Sequence, residues 1–379
     1  MEPNSPTAPV PDGGTIEAPR ISPLQMAWRL FRRNRLAMSG LVIFVAFFWI
    51  AVIGVVLTTG ATPYFDPAQV RLVEKLRPPM SRPQSQTLAP AERPRLGLFL
   101  LGTDALGRDV FARMLQGAWV SLTVGFVAVG IAILIGIVLG GIAGYYGARP
   151  IRAGPLIACA VIVWGLARLT GANPVSGIGS ILIGMLVWAA GRHTRRFPLL
   201  SRAVISTDTL ITGLIDIMLC FPSFFLVLTV VALVPPNIYN IMAVIGLTSW
   251  MGAARFVRAD FLSLREQDFV KAARALGLSD WRIIFRHMVP NALAPVLVSA
   301  TIGIASAILT EAGLSFLGFG VPPPHATWGN ILSDGKNYLM DAPWLTIGPG
   351  IAILLVVLAF NLFGEGLREV LNPRLRERS

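Results

Sequence analysis

Long apolar runs separated by short basic stretches set the pattern of this chain. A bilayer core about 30 Å thick is crossed by about 20 residues of α-helix, and six runs reach that length almost without charge. They cover residues 37–58, 118–147, two stretches within 209–254, 288–310 and 342–364. The two inside 209–254 divide at Pro235, Pro236 and Asn237, and Asp216 is their only charge. In the second run Gly136, Gly140 and Gly144 recur every fourth residue, which predicts a face that lets another helix approach closely. The pattern predicts an all-α polytopic membrane protein with six core helices.

A further apolar pair, 153–167 and 169–191, is separated by Arg168 and the turn-like Gly171-Ala172-Asn173-Pro174. An inserted hydrophobic hairpin is the simplest reading. The apolar cores of its limbs, 156–166 and 178–190, are short enough for a re-entrant or interfacial pair as well.

Composition agrees with membrane residence: 54% of the 379 residues are hydrophobic and only 14% charged. A soluble surface needs roughly 25%. The net charge of +12 comes from 32 Lys and Arg against 20 Asp and Glu. With the N-terminus inside, 22 of the 32 basic residues fall in the cytoplasmic segments, as the positive-inside rule asks. Eight lie in the outer loop 59–117, near the length at which the rule stops counting. The excess is therefore topology, and no nucleic-acid partner is expected. Cys159 and Cys220 sit in apolar segments, and His193, His287 and His325 belong to no metal-binding or catalytic arrangement. No phosphate-binding GxxxxGK[ST] loop occurs, so neither ATPase chemistry nor a metal is expected in this chain. Residues 1–20 are rich in Pro, Gly and Ser and read as a disordered tail.

Charge returns between the fourth and fifth runs, at 262–291, where two short amphipathic helices are predicted. Phe269, Ala272, Ala273 and Leu276 share one face of the first, with Lys271 and Arg274 elsewhere and Gly277 as its C-terminal cap. Ser279 can cap the second, in which Trp281, Ile284, Phe285 and Met288 repeat the spacing. The residues alone leave two readings open, a pair lying in the membrane interface or a docking surface.

The run Asp268-Phe269-Val270-Lys271-Ala272-Ala273-Arg274-Ala275-Leu276-Gly277, followed by His287-Met288-Val289-Pro290-Asn291, resembles the EAA loop of ABC importer permeases. Lys271 stands where the motif's name expects Glu, so the resemblance implies no acidic contact there. Two flanking motifs, 101–109 (Gly102-Thr103-Asp104 and Gly107-Arg108-Asp109) and 311–320, are similar to the C-type membrane subunit of dipeptide and oligopeptide (peptide/nickel) transporters. So is the leader 28–34 entering the first helix. Nothing in that family's pattern corresponds to 148–206.

The resemblance implies the type I ABC importer permease fold and a coupling helix in 262–291, including His287, Pro290 and Asn291, that seats in a groove on a separate ATPase. It implies a homologous second permease subunit, two ABC ATPases that bind ATP and Mg, and an extracytoplasmic substrate-binding protein. The organisation expected is a tail at 1–20, leader and first helix at 21–58, and an extracytoplasmic loop at 59–117. A permease core at 118–364 carries the insertion 148–206, and a tail at 365–379 follows. Both termini are placed in the cytoplasm, in a multi-pass inner-membrane protein whose cargo is a peptide or, alternatively, a nickel chelate or other small solute.

Three sites have competing readings. The 102–109 motif reads as a cap for an interfacial helix, with Asp104 near the helix start and Arg108 and Asp109 at the water line, or as a substrate contact. Asp216, ionisable inside an apolar run, is a functional site by default or a hydrogen-bonded structural group near the interface, and Pro222 predicts a kink. Glu311, at the outer end of the fifth run, meets a peptide's positive end or pairs at the interface. A secondary transporter would place several ionisable residues in matching halves, and an intramembrane enzyme would need a paired catalytic set. Neither pattern is present.

Overall fold

The computed structural model describes residues 23–84, 93–152, 156–158, 161–162, 164–165, 168, 174–192 and 203–371. The tail 1–20, the last residues from 372 and the Gly171-Ala172-Asn173 turn, with Cys159 and His193, lie outside them. An amphipathic helix α1 (Pro23–Arg33) leads into α2 (Arg35–Thr58), whose first turn is capped by Asn34 accepting from Ala37 N. Helix α3 (Val110–Tyr146) follows a long loop. It begins eight residues before the apolar run does, because Asp109 caps it by accepting from Phe111 N at 2.9 Å.

The third and fourth runs are each two helices. α5 (Thr207–Cys220) and α6 (Ser223–Leu233) meet at 85°, and α7 (Ile238–Leu247) and α8 (Met251–Leu264) at 41°. The first break is the predicted kink, deepened into a corner: Pro222 forces Phe221 into extended backbone (φ −89°, ψ 134°), which no helix continues. At the second, Thr248 ends α7 and its hydroxyl turns back to Val244 O at 2.7 Å.

The predicted second amphipathic helix does not stand alone. It is the start of one long helix, α10 (Asp280–Phe316), that contains the whole fifth run. A π-helical stretch (Ile283–Met288) joins the two parts just ahead of Pro290. Proline has no N–H to complete an ordinary turn, and the wider turn accommodates it. The last core helix, α12 (Trp344–Leu371), outruns its apolar core at the C-terminal end. Among the described residues four helices are long and apolar enough to cross a membrane, and counting each bent pair as one span brings the number to six.

Helices α3 and α8 make the most extensive pairing. Gly136, Gly140 and Gly144 face Ala253, Ala254 and Phe261, so the predicted glycine face is a helix contact; a Cβ on Gly144 would lie 2.8 Å from Arg258 O. Against the all-helical expectation, the root of the insertion is a two-stranded antiparallel ribbon, β1 (Pro150–Arg152) with β2 (Ala203–Ser206). Of the hairpin's limbs, α4 (Pro174–Arg192) is described through its length, and Gly184 packs against Ala158 and Ile162 of the other.

The bundle has two distinct ends. α1 packs on the C-terminal part of α12, where Asn34 Nδ2 donates to Glu369 Oε2 at 2.5 Å. That end also carries the last turn of α3, the ribbon and the segment between α8 and α10. The opposite end carries the loop before α3 and a short helix α11 (Trp328–Gly335), capped by Thr327 and Asn330 in a reciprocal box.

Candidate coupling interface

Between α8 and α10 lies an eight-residue helix, α9 (Asp268–Ala275). Its inner side is Val270 and Ala273, both buried against Val257, Phe261, Ile283 and Met288. Ala273 thus leaves the face assigned to it with Phe269, Ala272 and Leu276, because Val270 and not Phe269 points into the core. Those three stand outside: Phe269 is 41% exposed and Leu276 80%, and Ala272 and Lys271 are exposed as well.

The C-terminus of α9 is held by a complete Schellman pair. Gly277 N donates to Arg274 O at 3.0 Å and Leu278 N to Ala273 O at 3.2 Å. Gly277 takes φ +73°, a left-handed conformation that glycine adopts without strain. Its predicted cap role is thus met, and nothing lies within 4 Å of where a Cβ would be. The Ser279 hydroxyl makes no cap bond; its carbonyl accepts from Ile283 N at 3.1 Å instead. The Trp281 and Phe285 rings meet at a 43° tilt with centroids 4.1 Å apart, Trp281 outermost, while Ile284 and Met288 are buried. Asn291 Nδ2 donates to His287 O at 2.6 Å across one turn, with exposed Pro290 between them.

The opposite end is built differently. Asp104 is 0% exposed and does not start a helix. Arg108 Nε and Arg113 Nη1 both donate to its Oδ2 at 2.6 Å, and Leu106 N and Arg108 N to its Oδ1 at 2.8 and 2.9 Å. Asp334 of α11 receives the same two arginines at 2.9 and 2.8 Å. Thr103 accepts from Arg77 N and donates to Glu74 O, and Gly102 and Gly107 take positive φ where the loop folds under itself. Burial raises the Asp109 pKa against the pull of Phe111 N, Ala112 N and Arg71. The side chains of Thr103, Asp104, Arg108 and Asp109 hold the loop together and to α3 and α11.

Both intramembrane carboxylates have partners within the chain. Asp216 pairs with Arg255 of α8 at 2.7 Å on an exposed face. Glu311 is 0% exposed and accepts from Ser315 Oγ at 2.7 Å. Arg113 and Asp334, Arg258 chelating Asp208 at 2.5 and 2.7 Å, and the Tyr145–Asp280 bond at 2.5 Å escaped the sequence reading. An arginine at the start of a long apolar helix was the one available signal, since such a charge must find a partner.

Up to six crossing segments around a glycine-packed helix pair, with a short amphipathic helix at one end, define a polytopic membrane protein. The family described as "Binding-protein-dependent transport system inner membrane component" matches residues 199–377. "N-terminal TM domain of oligopeptide transport permease C" matches 22–79. The chain is 34% identical to a dipeptide transport system permease protein of Alkalihalophilus pseudofirmus, over 99% of this chain and 96% of the relative. It is 33% identical to a di/tripeptide transport system permease protein of Pseudomonas aeruginosa (94% and 93% covered). It is 29% identical to an oligopeptide transport system permease protein of Bacillus subtilis (97% and 94%).

The chain belongs to the permease family of ABC importers. It is a multi-pass inner-membrane transport subunit and not an enzyme, and such permeases work with ATPase and substrate-binding partners and a second permease.

Proposed function

We propose that this chain is the C-type permease subunit of an importer that carries dipeptides or oligopeptides, the cargo in the names of all three relatives above. It pairs with one homologous permease, two ATPases that bind the ATP and Mg, and an extracytoplasmic binding protein that delivers the peptide. The end bearing α1, the ribbon and α9 faces the cytoplasm, and both termini lie there. The 102–109 loop faces the binding protein.

One observation carries this reading: α9 turns Phe269, Ala272 and Leu276 outward while Val270, Ala273 and the Gly277 cap fix its orientation. An exposed Leu or Phe gains about 1.5–3 kcal/mol when fully buried, enough for two such anchors to seat the helix in an ATPase groove. ATP-driven closure of the ATPases then moves α9 as a rigid unit and switches the pathway between its two faces.

The test is to purify the chain with its co-purifying ATPases and binding protein and measure ATP hydrolysis. A peptide-loaded binding protein should stimulate it. Stimulation by a nickel chelate or a sugar and by no peptide would overturn the cargo assignment.

A further inference from the structure

The coupling helix is tied to the rest of the protein by more than its own backbone. Asp280, the first residue of α10, accepts from Tyr145 Oη at 2.5 Å through one carboxylate oxygen. Its other oxygen faces Arg149 Nη1 at 3.5 Å. Arg274 of α9 lies over the Tyr145 ring at 4.8 Å, and Arg149 over the Tyr146 ring at 5.4 Å. The two tyrosines meet edge to face at 5.1 Å. One contiguous cluster therefore joins four elements: α9 through Arg274, α10 through Asp280, the last turn of α3 through the tyrosines, and the approach to β1 through Arg149.

Its placement gives it leverage. Tyr145 is buried, and α3 is the helix whose glycine face is locked onto α8. Any displacement of α9 reaches α8 and α10 along the chain, but it reaches α3 only across space. Arg149 O also accepts from Thr207 N at 3.1 Å, so the same residue is fixed at the foot of α5. The cluster adds a polar link from α9 and the start of α10 to α3 and the insertion root, beside the apolar and glycine contacts through α8.

We infer that Tyr145 and Asp280 are positioning residues for energy coupling: they make α3 and the root of the insertion move with the coupling helix. The inference rests on the importer reading given above. Tyr145→Phe keeps the ring beneath Arg274 and removes the hydroxyl that bonds Asp280 and also reaches Arg274, and Asp280→Asn removes the charge that Arg149 faces.

The test is the assembled complex in liposomes, with a dipeptide-loaded binding protein, reading peptide uptake and ATP hydrolysis on the same sample. Both variants should assemble and hydrolyse ATP at the basal rate. Uptake per ATP should fall about tenfold in Tyr145→Phe, the scale of one hydrogen bond to a charged group. The double variant should lose less than the two single losses combined, because both changes act on the Tyr145–Asp280 bond. If Asp280→Asn fails to assemble, Tyr145→Phe alone decides. Unchanged uptake per ATP in Tyr145→Phe, or a loss matched by lost assembly, overturns the inference. A wild-type complex that no peptide stimulates overturns the importer reading itself, and the coupling role with it.

Discussion

The 102–109 loop and the 268–277 helix are both short, glycine-punctuated motifs at the ends of the bundle, yet they use their residues in opposite ways. In the first, Asp104 and the arginines satisfy one another, and Thr103 bonds to the backbone at Glu74 and Arg77. In the second, the inward residues are only Val270 and Ala273, and the apolar side chains that a fold would ordinarily bury stand in the open. The glycines repeat the contrast. Gly107 has φ +68° and Gly277 φ +73°, but a Cβ on Gly107 would collide with the Arg71 carbonyl, whereas one on Gly277 would meet nothing. A recognisable motif is therefore not by itself a contact surface; what separates the two is whether its groups are already spent.

The sharpest way to break this contrast is to put the same side chain at both glycines. Gly107→Val must displace the Arg71 backbone and should abolish a folded, membrane-extractable complex. Gly277→Val meets only the left-handed strain of a side chain, about 1–2 kcal/mol. It should leave the protein assembled in detergent but impaired in peptide uptake, because the Schellman pair that orients α9 is weakened. Equal yields of the two purified variants would contradict the distinction. Next in size is Asp104→Ala, which leaves Arg113, almost wholly buried, with Asp334 as its remaining carboxylate. Removing one member of a buried charge cluster costs about 3–5 kcal/mol, so the melting temperature should fall sharply. A shift of only a degree or two would mean that the cluster is wetter than its burial implies.

Much of this architecture was legible because lipid imposes it. Runs of about 20 apolar residues had to be helices, and glycines spaced by four had to be a packing face. Breaks were less legible: Pro222 announced a kink, but its 85° depends on what α6 packs against, which local sequence does not encode. The face of α9 was misassigned by one residue, since a strip of small and apolar residues on an eight-residue helix fits two adjacent rotations almost equally well. Burial of Val270 under Phe261 and Ile283 decides between them. The 102–109 network and the Tyr145–Asp280 bond were out of reach for another reason. Their partners are separated by 221 and 135 residues, and neither partner carries a local signature.

The smallest effect on stability should come from the residue that stands furthest out. Leu276→Glu alters a side chain 80% exposed, with no packing to lose. Such surface changes stay within about 0.5 kcal/mol, so the melting temperature of the isolated permease should not move. Binding should respond strongly, because a charge inserted into an apolar groove is desolvated without a partner. The ATPases should then no longer co-purify with the variant, while Lys271→Ala at the neighbouring exposed position should retain them. The comparison turns on this dissociation between stability and assembly. A Leu276→Glu permease that keeps its ATPases at wild-type yield would place the docking surface elsewhere on this end of the bundle, and one that melts early would mean that α9 is bound into the fold no less tightly than the 102–109 loop.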